Sequence, residues 1–174
     1  AFSTLIAAQD TLLLFHPTIY NLELIESLSQ EGVFNLEAYH VLGVYHSGEA
    51  YNYENALLKV AENPQGRISL VEISGELNAG ELYESNACTD IFEELFKKSR
   101  GALFMGGPDI PPHIYNEATH LLTRITDPFR HYMETSFIFH LLGGKQDENW
   151  IAWMDSRPDY LISGICLGMQ SMNV

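Results

Sequence analysis

The sequence has 174 residues, of which 46% are hydrophobic and 18% charged. That is long enough to bury one sizeable core and too apolar for a disordered chain, so a single domain over residues 1–174 is the prediction. Nine lysine and arginine residues stand against 23 aspartate and glutamate residues, which gives a formal net charge of −14. Such a field repels phosphate backbones and anionic lipids, so neither nucleic-acid nor membrane partners are expected.

The two cysteines and residues 1–10 bear on the cellular compartment of the protein. Cys88 and Cys166 are too few for a disulfide framework, and their spacing matches no zinc pattern, so neither a metal nor another cofactor is expected. Residues 1–10 show no initiator Met and no basic region of a signal peptide. A reducing, cytoplasmic location is the expectation, while a processed N-terminus and an exported form stay open.

Strands and helices alternate along the predicted chain. Residues 11–16 are a short apolar run before Pro17, which is typical of a buried strand that ends in a loop. Residues 19–30 repeat apolar positions at helical spacing, and Gly32 marks the end of that helix. The same patterns predict further strands at 41–46, 68–73, 102–105 and 160–165, and helices at 53–62, from Thr89 or Asp90 onward, and at 127–142.

This alternation predicts the fold class. Repeated βαβ units favour a three-layer α/β domain with a doubly wound, mainly parallel, flavodoxin-like sheet, whose C-terminal portion we expect to lie outside this chain. The acidic residues 76–85 predict an exposed loop. In the helix that follows, Ile91, Leu95 and Phe96 are expected to face inward.

Three segments follow predicted strands, where open α/β sheets bind their ligands. They are the Gly-Gly-Pro-Asp turn at 106–109, the segment at 164–170, and the strand-end histidines His16 and His46. For the two histidines we expect packing or surface roles. Arg130 and Glu134, four residues apart on one helix face, predict an ion pair that could brace the site loops.

The last predicted strand runs directly into Gly-Ile-Cys-Leu-Gly, residues 164–168. This is the G-x-nucleophile-x-G pattern, in which a sharp strand-to-helix turn exposes one side chain. The glycines permit close backbone packing, and residues 169–174 are predicted to begin a helix whose N-terminal amides and dipole would stabilise a thiolate. The pattern predicts Cys166 as a nucleophile; a buried cysteine at an ordinary strand end is the alternative.

A nucleophile that attacks a carbonyl needs fixed N–H donors where negative charge develops. The turn at Gly106 and Gly107 follows a buried strand and can offer such a donor. We therefore predict that the N–H groups of Gly107 and Leu167 form an oxyanion pair. A plain turn is the alternative for the glycine segment.

These segments resemble the class I glutamine amidotransferase superfamily, most closely its γ-glutamyl hydrolase branch of cysteine peptidase-like enzymes. The resemblance is carried by FMGGPDIPPHIY at 104–115, DPFRHYME at 127–134 and GICLGMQSMNV at 164–174. In the middle segment His131 stands where the branch usually has an aspartate. Before about Gly101 the resemblance rests on the order of the strands alone.

The resemblance implies a Cys-His-Glu triad in which Cys166 attacks a side-chain amide, releases an amine or ammonia and leaves a γ-glutamyl thioester for water to hydrolyse. It assigns the oxyanion donors to Gly107 and Leu167, and part of the binding of the glutamyl group to Gln170. In the family the histidine and glutamate lie well downstream of the nucleophile. They are therefore expected beyond residue 174, and this chain alone is expected to be inactive and to associate, either with that segment or with further copies.

The predicted function is cysteine-dependent hydrolysis of a γ-glutamyl amide bond, with a small γ-glutamyl amide or glutamine as the ligand. A glutaminase that passes ammonia to a synthase partner is one alternative. A non-catalytic binding module that keeps the pocket is another. The amine portion of the substrate is left open by the sequence.

Overall fold

A computed structural model describes residues 11–35 and 38–174; the prediction about residues 1–10 lies outside these ranges. The described chain contains a sheet of five strands, with a helix between each strand and the next and a short helix after the last. The strands are β1 (Thr11–Phe15), β2 (His40–His46), β3 (Ile68–Ile73), β4 (Gly101–Phe104) and β5 (Leu161–Gly164). The helices are α1 (Ile19–Gln30), α2 (Glu54–Glu62), α3 (Thr89–Lys98), α4 (Pro128–Leu142) and α5 (Leu167–Ser171).

The strands form one sheet in the order β3-β2-β1-β4-β5, and every pair of neighbours is parallel. The chain thus winds outward from β1 in one direction and, after β3, crosses back to continue on the other side. This arrangement confirms the predicted doubly wound α/β fold. The order reverses between β1 and β4, and at such a switch point the carboxyl ends of the strands leave a crevice open to ligands.

Helices cover both faces of the sheet, because alternate side chains of a strand point to opposite faces. Leu13 and Phe15 of β1 join a core cluster with side chains of α3 and α4, including Phe92 and Phe137. Leu14 belongs to a second cluster with residues of α1 and α2. The result is three layers. Among the described helices, none combines the length and apolarity needed to cross a bilayer.

Local sequence signals account for the starts of two helices, α1 and α4. The Thr18 side chain caps α1 by accepting from the N–H of Asn21, and Asp127 caps α4 just ahead of Pro128. The helix predicted to begin at residue 169 begins two residues earlier, at Leu167, and it ends at Ser171. Helical geometry starts immediately after the turn at Cys166.

The predicted exposed loop at 76–85 is wrong in one respect, because Leu77 and Leu82 are buried in the main core cluster. These two leucines anchor an otherwise acidic segment, and the hydroxyl of Tyr83 adds a hydrogen bond to the carbonyl of Ile114. In α3, Leu95 and Phe96 face inward as predicted, but Phe92 is fully buried and Ile91 only partly. The prediction followed the acidic residues of the segment and overlooked its two buried leucines.

Candidate active site

Cys166 occupies a strained turn between β5 and α5. Its backbone has φ 53° and ψ −108°, and its side chain is exposed. A positive φ at a residue other than glycine costs about 1–3 kcal/mol and persists only where the surroundings enforce it. A Cβ at Gly168 would lie 2.6 Å from the backbone carbonyl carbon of Phe104, and one at Gly164 would lie 2.5 Å from the backbone carbonyl carbon of Gly168. Both glycines of the predicted elbow are thus required by close packing.

The glycine turn after β4 lies against this elbow. A Cβ placed on Gly106 would lie 3.4 Å from Cys166 Cβ, and one on Gly107 would lie 3.2 Å from Leu167 Cδ2. Within the described part of the chain, the N–H groups of Gly107 and Leu167 have no hydrogen-bond partner. The predicted nucleophile and both predicted oxyanion donors are therefore neighbours. Their two N–H groups are not used by the described part of the protein and can donate hydrogen bonds to another group.

Arg130 connects this turn to α4. Its Nη2 donates to the carbonyl oxygens of Met105, at 2.8 Å, and Gly106, at 3.3 Å. Its Nε donates to Glu134 Oε1 at 2.8 Å, and both side chains are buried. The predicted ion pair is confirmed. A Cβ at Gly107 would collide with Arg130 Nη1, so the close approach of the guanidinium is the reason for glycine there.

Two buried polar atoms beside Arg130 have no hydrogen-bond partner among the described residues: Glu134 Oε2 and His131 Nδ1. Burial raises the pKa of Glu134, and the adjacent Arg130 opposes that shift. Burial, reinforced by the charge of Arg130, lowers the pKa of His131 to about 4. His131 is therefore neutral at physiological pH.

A cavity of about 430 Å³ opens at the switch point. Its lining joins the end of β1, the start of α1, the glycine turn and the residue before the nucleophile: His16, Thr18, Tyr20, Asn21, Leu24, Met105, Gly106, Gly107, Pro108, Arg130 and Ile165. A second cavity of about 180 Å³ shares His16, Pro108 and Arg130 with it. The space between β1 and the elbow is thus lined by both cationic and backbone groups.

His16 forms a polar cluster at the end of β1. Its backbone has φ 56°, and its Nδ1 lies 2.8 Å from Glu49 Oε2 and 2.7 Å from the hydroxyl of Tyr53. The Tyr53 hydroxyl also donates to Glu49 Oε2, at 2.5 Å. Sequence reasoning missed Glu49 and Tyr53. The available signal was the position of Glu49, three residues beyond the end of β2.

His46, the other strand-end histidine, uses both ring nitrogens in local structure. Its Nδ1 accepts from the N–H of Gly48 at 2.9 Å, and its Nε2 lies 3.0 Å from the carbonyl oxygen of Gly75. Its ring stacks on Phe129. The expected packing role of His46 is confirmed, whereas His16 is buried in a polar cluster.

Gln170 lies one turn beyond the nucleophile, and its N–H donates to the carbonyl of Cys166 at 3.2 Å. Its exposed side chain lines a separate cavity of about 590 Å³, together with Asp109 and His120. This cavity shares no lining residue with the switch-point cavity. The role of Gln170 in substrate binding stays a prediction.

Cys88, the second free cysteine, is fully buried at the start of α3. Burial raises the pKa of its thiol. The Cys88 thiol is therefore shielded from solvent, whereas Cys166 is exposed. Within the two described ranges, no group of three or more His, Cys, Asp or Glu side chains could hold a metal ion.

No protein-family model, no curated protein and no solved structure matches this chain. The glutamine amidotransferase resemblance therefore rests on its three sequence segments. Two of them, the glycine turn and the elbow, are the segments that meet at Cys166, and the third supplies Arg130 beneath them.

Proposed function

We propose that this chain provides the nucleophile of an enzyme that hydrolyses γ-glutamyl amide bonds. One observation carries the proposal: an exposed cysteine is held at positive φ beside two unpaired N–H groups. A structural cysteine needs neither the strain nor the free donors. The combination is what covalent acyl transfer requires, namely an accessible nucleophile and fixed dipoles at the developing oxyanion.

In the proposed reaction, Cys166 Sγ attacks the carbonyl carbon of the amide. The carbonyl oxygen gains negative charge and accepts hydrogen bonds from the N–H groups of Gly107 and Leu167. The C–N bond then breaks, the amine leaves with a proton, and a thioester remains on Cys166. Water attacks the thioester carbon, so that the carboxylic acid leaves and the thiol is restored.

A small molecule is the proposed substrate. The switch-point cavity, at about 430 Å³, lies in the range of small-molecule sites. The γ-glutamyl group comes from the family resemblance, and the net charge of −14 makes a polyanionic ligand unfavourable. Two free thiols, one exposed, fit a reducing compartment, and we include a cytoplasmic location in the proposal.

The test is turnover of γ-glutamyl anilide and of L-glutamine by the protein expressed together with the segment expected beyond residue 174, with Cys166→Ser beside a matched Cys88→Ser control. We expect Cys166→Ser to abolish release of the amine and Cys88→Ser to retain it. Mass spectrometry of the acid-quenched reaction should find one γ-glutamyl group on the peptide that carries Cys166. Undiminished turnover by Cys166→Ser would refute the proposal. Turnover of glutamine alone would favour the glutaminase alternative.

A further inference from the structure

A groove of about 480 Å³ lies at the carboxyl ends of β2 and β3, on the face of the sheet that α2 covers. We call it the tyrosine groove, after Tyr45, Tyr51 and Tyr53 in its lining. Three glutamates and a stripe of apolar side chains from α2 also line it, whereas no described lysine or arginine does so. Tyr51 lines both this groove and the cavity of about 180 Å³ beside Arg130, so the two spaces are neighbours.

The rings of the three tyrosines pack on one another. Tyr45 and Tyr53 are stacked, with ring centroids 4.1 Å apart, and Tyr51 meets Tyr53 at an edge, with centroids 4.9 Å apart. Tyr45 and Tyr53 are buried, whereas Tyr51 is partly exposed. The face of an aromatic ring carries partial negative charge and attracts a cation. Tyr51 therefore offers the groove a surface that suits a positively charged group.

The negative charge of the groove comes from Glu49, Glu54 and Glu72. The Glu49 side chain is enclosed and already bound to His16 and Tyr53. Glu54 and Glu72 are exposed, and neither forms an ion pair with a basic side chain within the two described ranges. Two carboxylates without a basic partner, next to an aromatic ring, favour a cationic ligand over a neutral or anionic one.

The pKa values of two buried rings show how charge is divided on either side of Tyr51. Burial raises the pKa of Tyr45, and the negative charge of Glu72 raises it further. Burial lowers the pKa of His131, and the positive charge of Arg130 lowers it further. A cation is thus favoured in the tyrosine groove and opposed in the small cavity beside Arg130.

One wall of the groove is apolar. Leu57, Leu58 and Ala61 of α2 line it together with Glu54, at the i, i+3, i+4 and i+7 spacing of one helix face. Leu57 is 45% exposed and Leu58 is 57% exposed, although both are large hydrophobic side chains. A ligand that combines an alkyl chain with a positively charged end therefore matches both the apolar wall and the acidic, aromatic wall.

We propose that the tyrosine groove binds an aliphatic amine in its ammonium form. The ammonium group lies between the ring of Tyr51 and the carboxylates of Glu54 and Glu72. The alkyl chain lies against Leu57 and Leu58, where it removes their apolar surface from water. This binding site is independent of the reaction proposed above, so that either proposal can fail without the other.

Two sources can supply such an ammonium group: a free amine, and the amine portion of a γ-glutamyl amide. The acylated nitrogen of an amide is uncharged, so the second source must carry a further amino group. β2 lies three strand spacings from β5, about 14 Å, and the further amino group must therefore stand at the end of a long chain. An amide of a long diamine consequently distinguishes the two sources.

The experiment titrates the chain with hexylammonium chloride and with hexanol, its neutral counterpart, and follows binding by NMR. We expect saturable binding of hexylammonium that is tighter than that of hexanol and weakens as salt is added. The double variant Glu54→Gln/Glu72→Gln should weaken hexylammonium binding by roughly 3–10-fold and leave hexanol binding unchanged. Tyr51→Leu should have a similar selective effect. Leu58→Asn should weaken the binding of both ligands.

Glu148→Gln is the matched control, because Glu148 is an exposed glutamate that follows α4, on the other face of the sheet. Circular dichroism checks the folding of each variant, and the side chains to be changed are all at least partly exposed. The inference is overturned by a lack of saturable hexylammonium binding, by equal affinities for hexylammonium and hexanol, or by an equal loss of affinity in Glu148→Gln.

Turnover then identifies the source of the amine, in the preparation that tests the proposed function. We compare kcat/KM for the γ-glutamyl amides of diaminodecane and decylamine. A higher value for the diamine amide, lost in Glu54→Gln/Glu72→Gln, means that the groove holds the amine portion of the substrate. Equal values beside selective hexylammonium binding mean that it holds a free amine. If neither amide reacts, the titration alone decides this inference, and it is the proposed function that fails.

Discussion

The guanidinium of Arg130 donates to the main-chain carbonyl of Met105 across 2.8 Å, so the first turn of α4 holds the backbone that leads into the glycine turn. The same guanidinium pairs with Glu134, whose carboxylate is otherwise enclosed. The stability of the fold and the geometry of the glycine turn therefore both depend on the Arg130 side chain. A double variant at Arg130 and Glu134 can separate its effect on stability from its effect on the turn.

Arg130→Met should destabilise the fold by about 3–5 kcal/mol, because it leaves the Glu134 carboxylate buried and unpaired. The double variant Arg130→Met/Glu134→Leu should recover most of that loss. Turnover of γ-glutamyl anilide should stay low in both variants, since neither holds Met105 and Gly106. Urea unfolding and kcat are the measurements. Recovery of kcat together with stability would show that Arg130 acts only through folding.

The two thiols should differ strongly in reactivity. Cys166 is exposed, whereas Cys88 is buried and burial raises its pKa. At neutral pH we expect iodoacetamide to label Cys166 well before Cys88, and denaturation in urea to make the two rates similar. Peptide mass spectrometry measures both rates in one sample. Equal labelling of the folded chain would contradict the assignment of Cys166 as an accessible nucleophile.

Gly107→Ala tests the oxyanion turn. The new Cβ would collide with Arg130 Nη1 and crowd Leu167, so either the turn or the guanidinium that holds its backbone must shift. Loss of one oxyanion donor typically costs about 10²–10³-fold in kcat, and we expect a loss of that order with KM little changed. Gly80→Ala is the matched control, because a Cβ there meets only Asn78 Oδ1, at 3.4 Å. If Gly107→Ala kept the wild-type kcat, the glycine segment would have no role beyond that of a turn.

His131 should make the fold less stable in mild acid. Its folded pKa of about 4 lies below the unfolded value of 6.5, so the unfolded chain binds the extra proton between these values. Stability contributed by neutral His131 is present above pH 6.5 and is lost as the pH falls towards 4, by a few kcal/mol at most. His131→Phe should flatten this part of the curve, as measured by urea unfolding at pH 4.5 and 7. An unchanged pH dependence would exclude His131 as its source.

Leu82→Ala should cost about 2–5 kcal/mol, because Leu82 is fully buried although it lies in an acidic loop. Leu121 is 95% exposed, and Leu121→Ala should change stability by less than about 0.5 kcal/mol. Thermal or urea unfolding of the two variants measures their free energies of unfolding. Similar stabilities of the two variants would mean that the loop does not anchor the core.

Local patterns in the sequence were enough for the strands, most helices and the fold class. The run at 68–73 and the helix at 19–30 match β3 and α1 at both ends. Periodicity and capping act over a few residues, so they can be seen in a single sequence. The elbow at 164–168 was visible because its pattern lies within five consecutive residues, although Gly168 is required there by its contact with the distant Phe104 of β4.

Tertiary structure alone decided which distant groups meet. Glu49 and His16 are 33 residues apart, and they touch only because β1 and β2 pair in parallel and end at the same edge of the sheet. Arg130 reaches Met105 only because α4 packs behind β4, and Leu82 reaches the core through an acidic segment. Such contacts follow from strand order and layer packing, which depend on the whole chain, and so no local pattern could predict them.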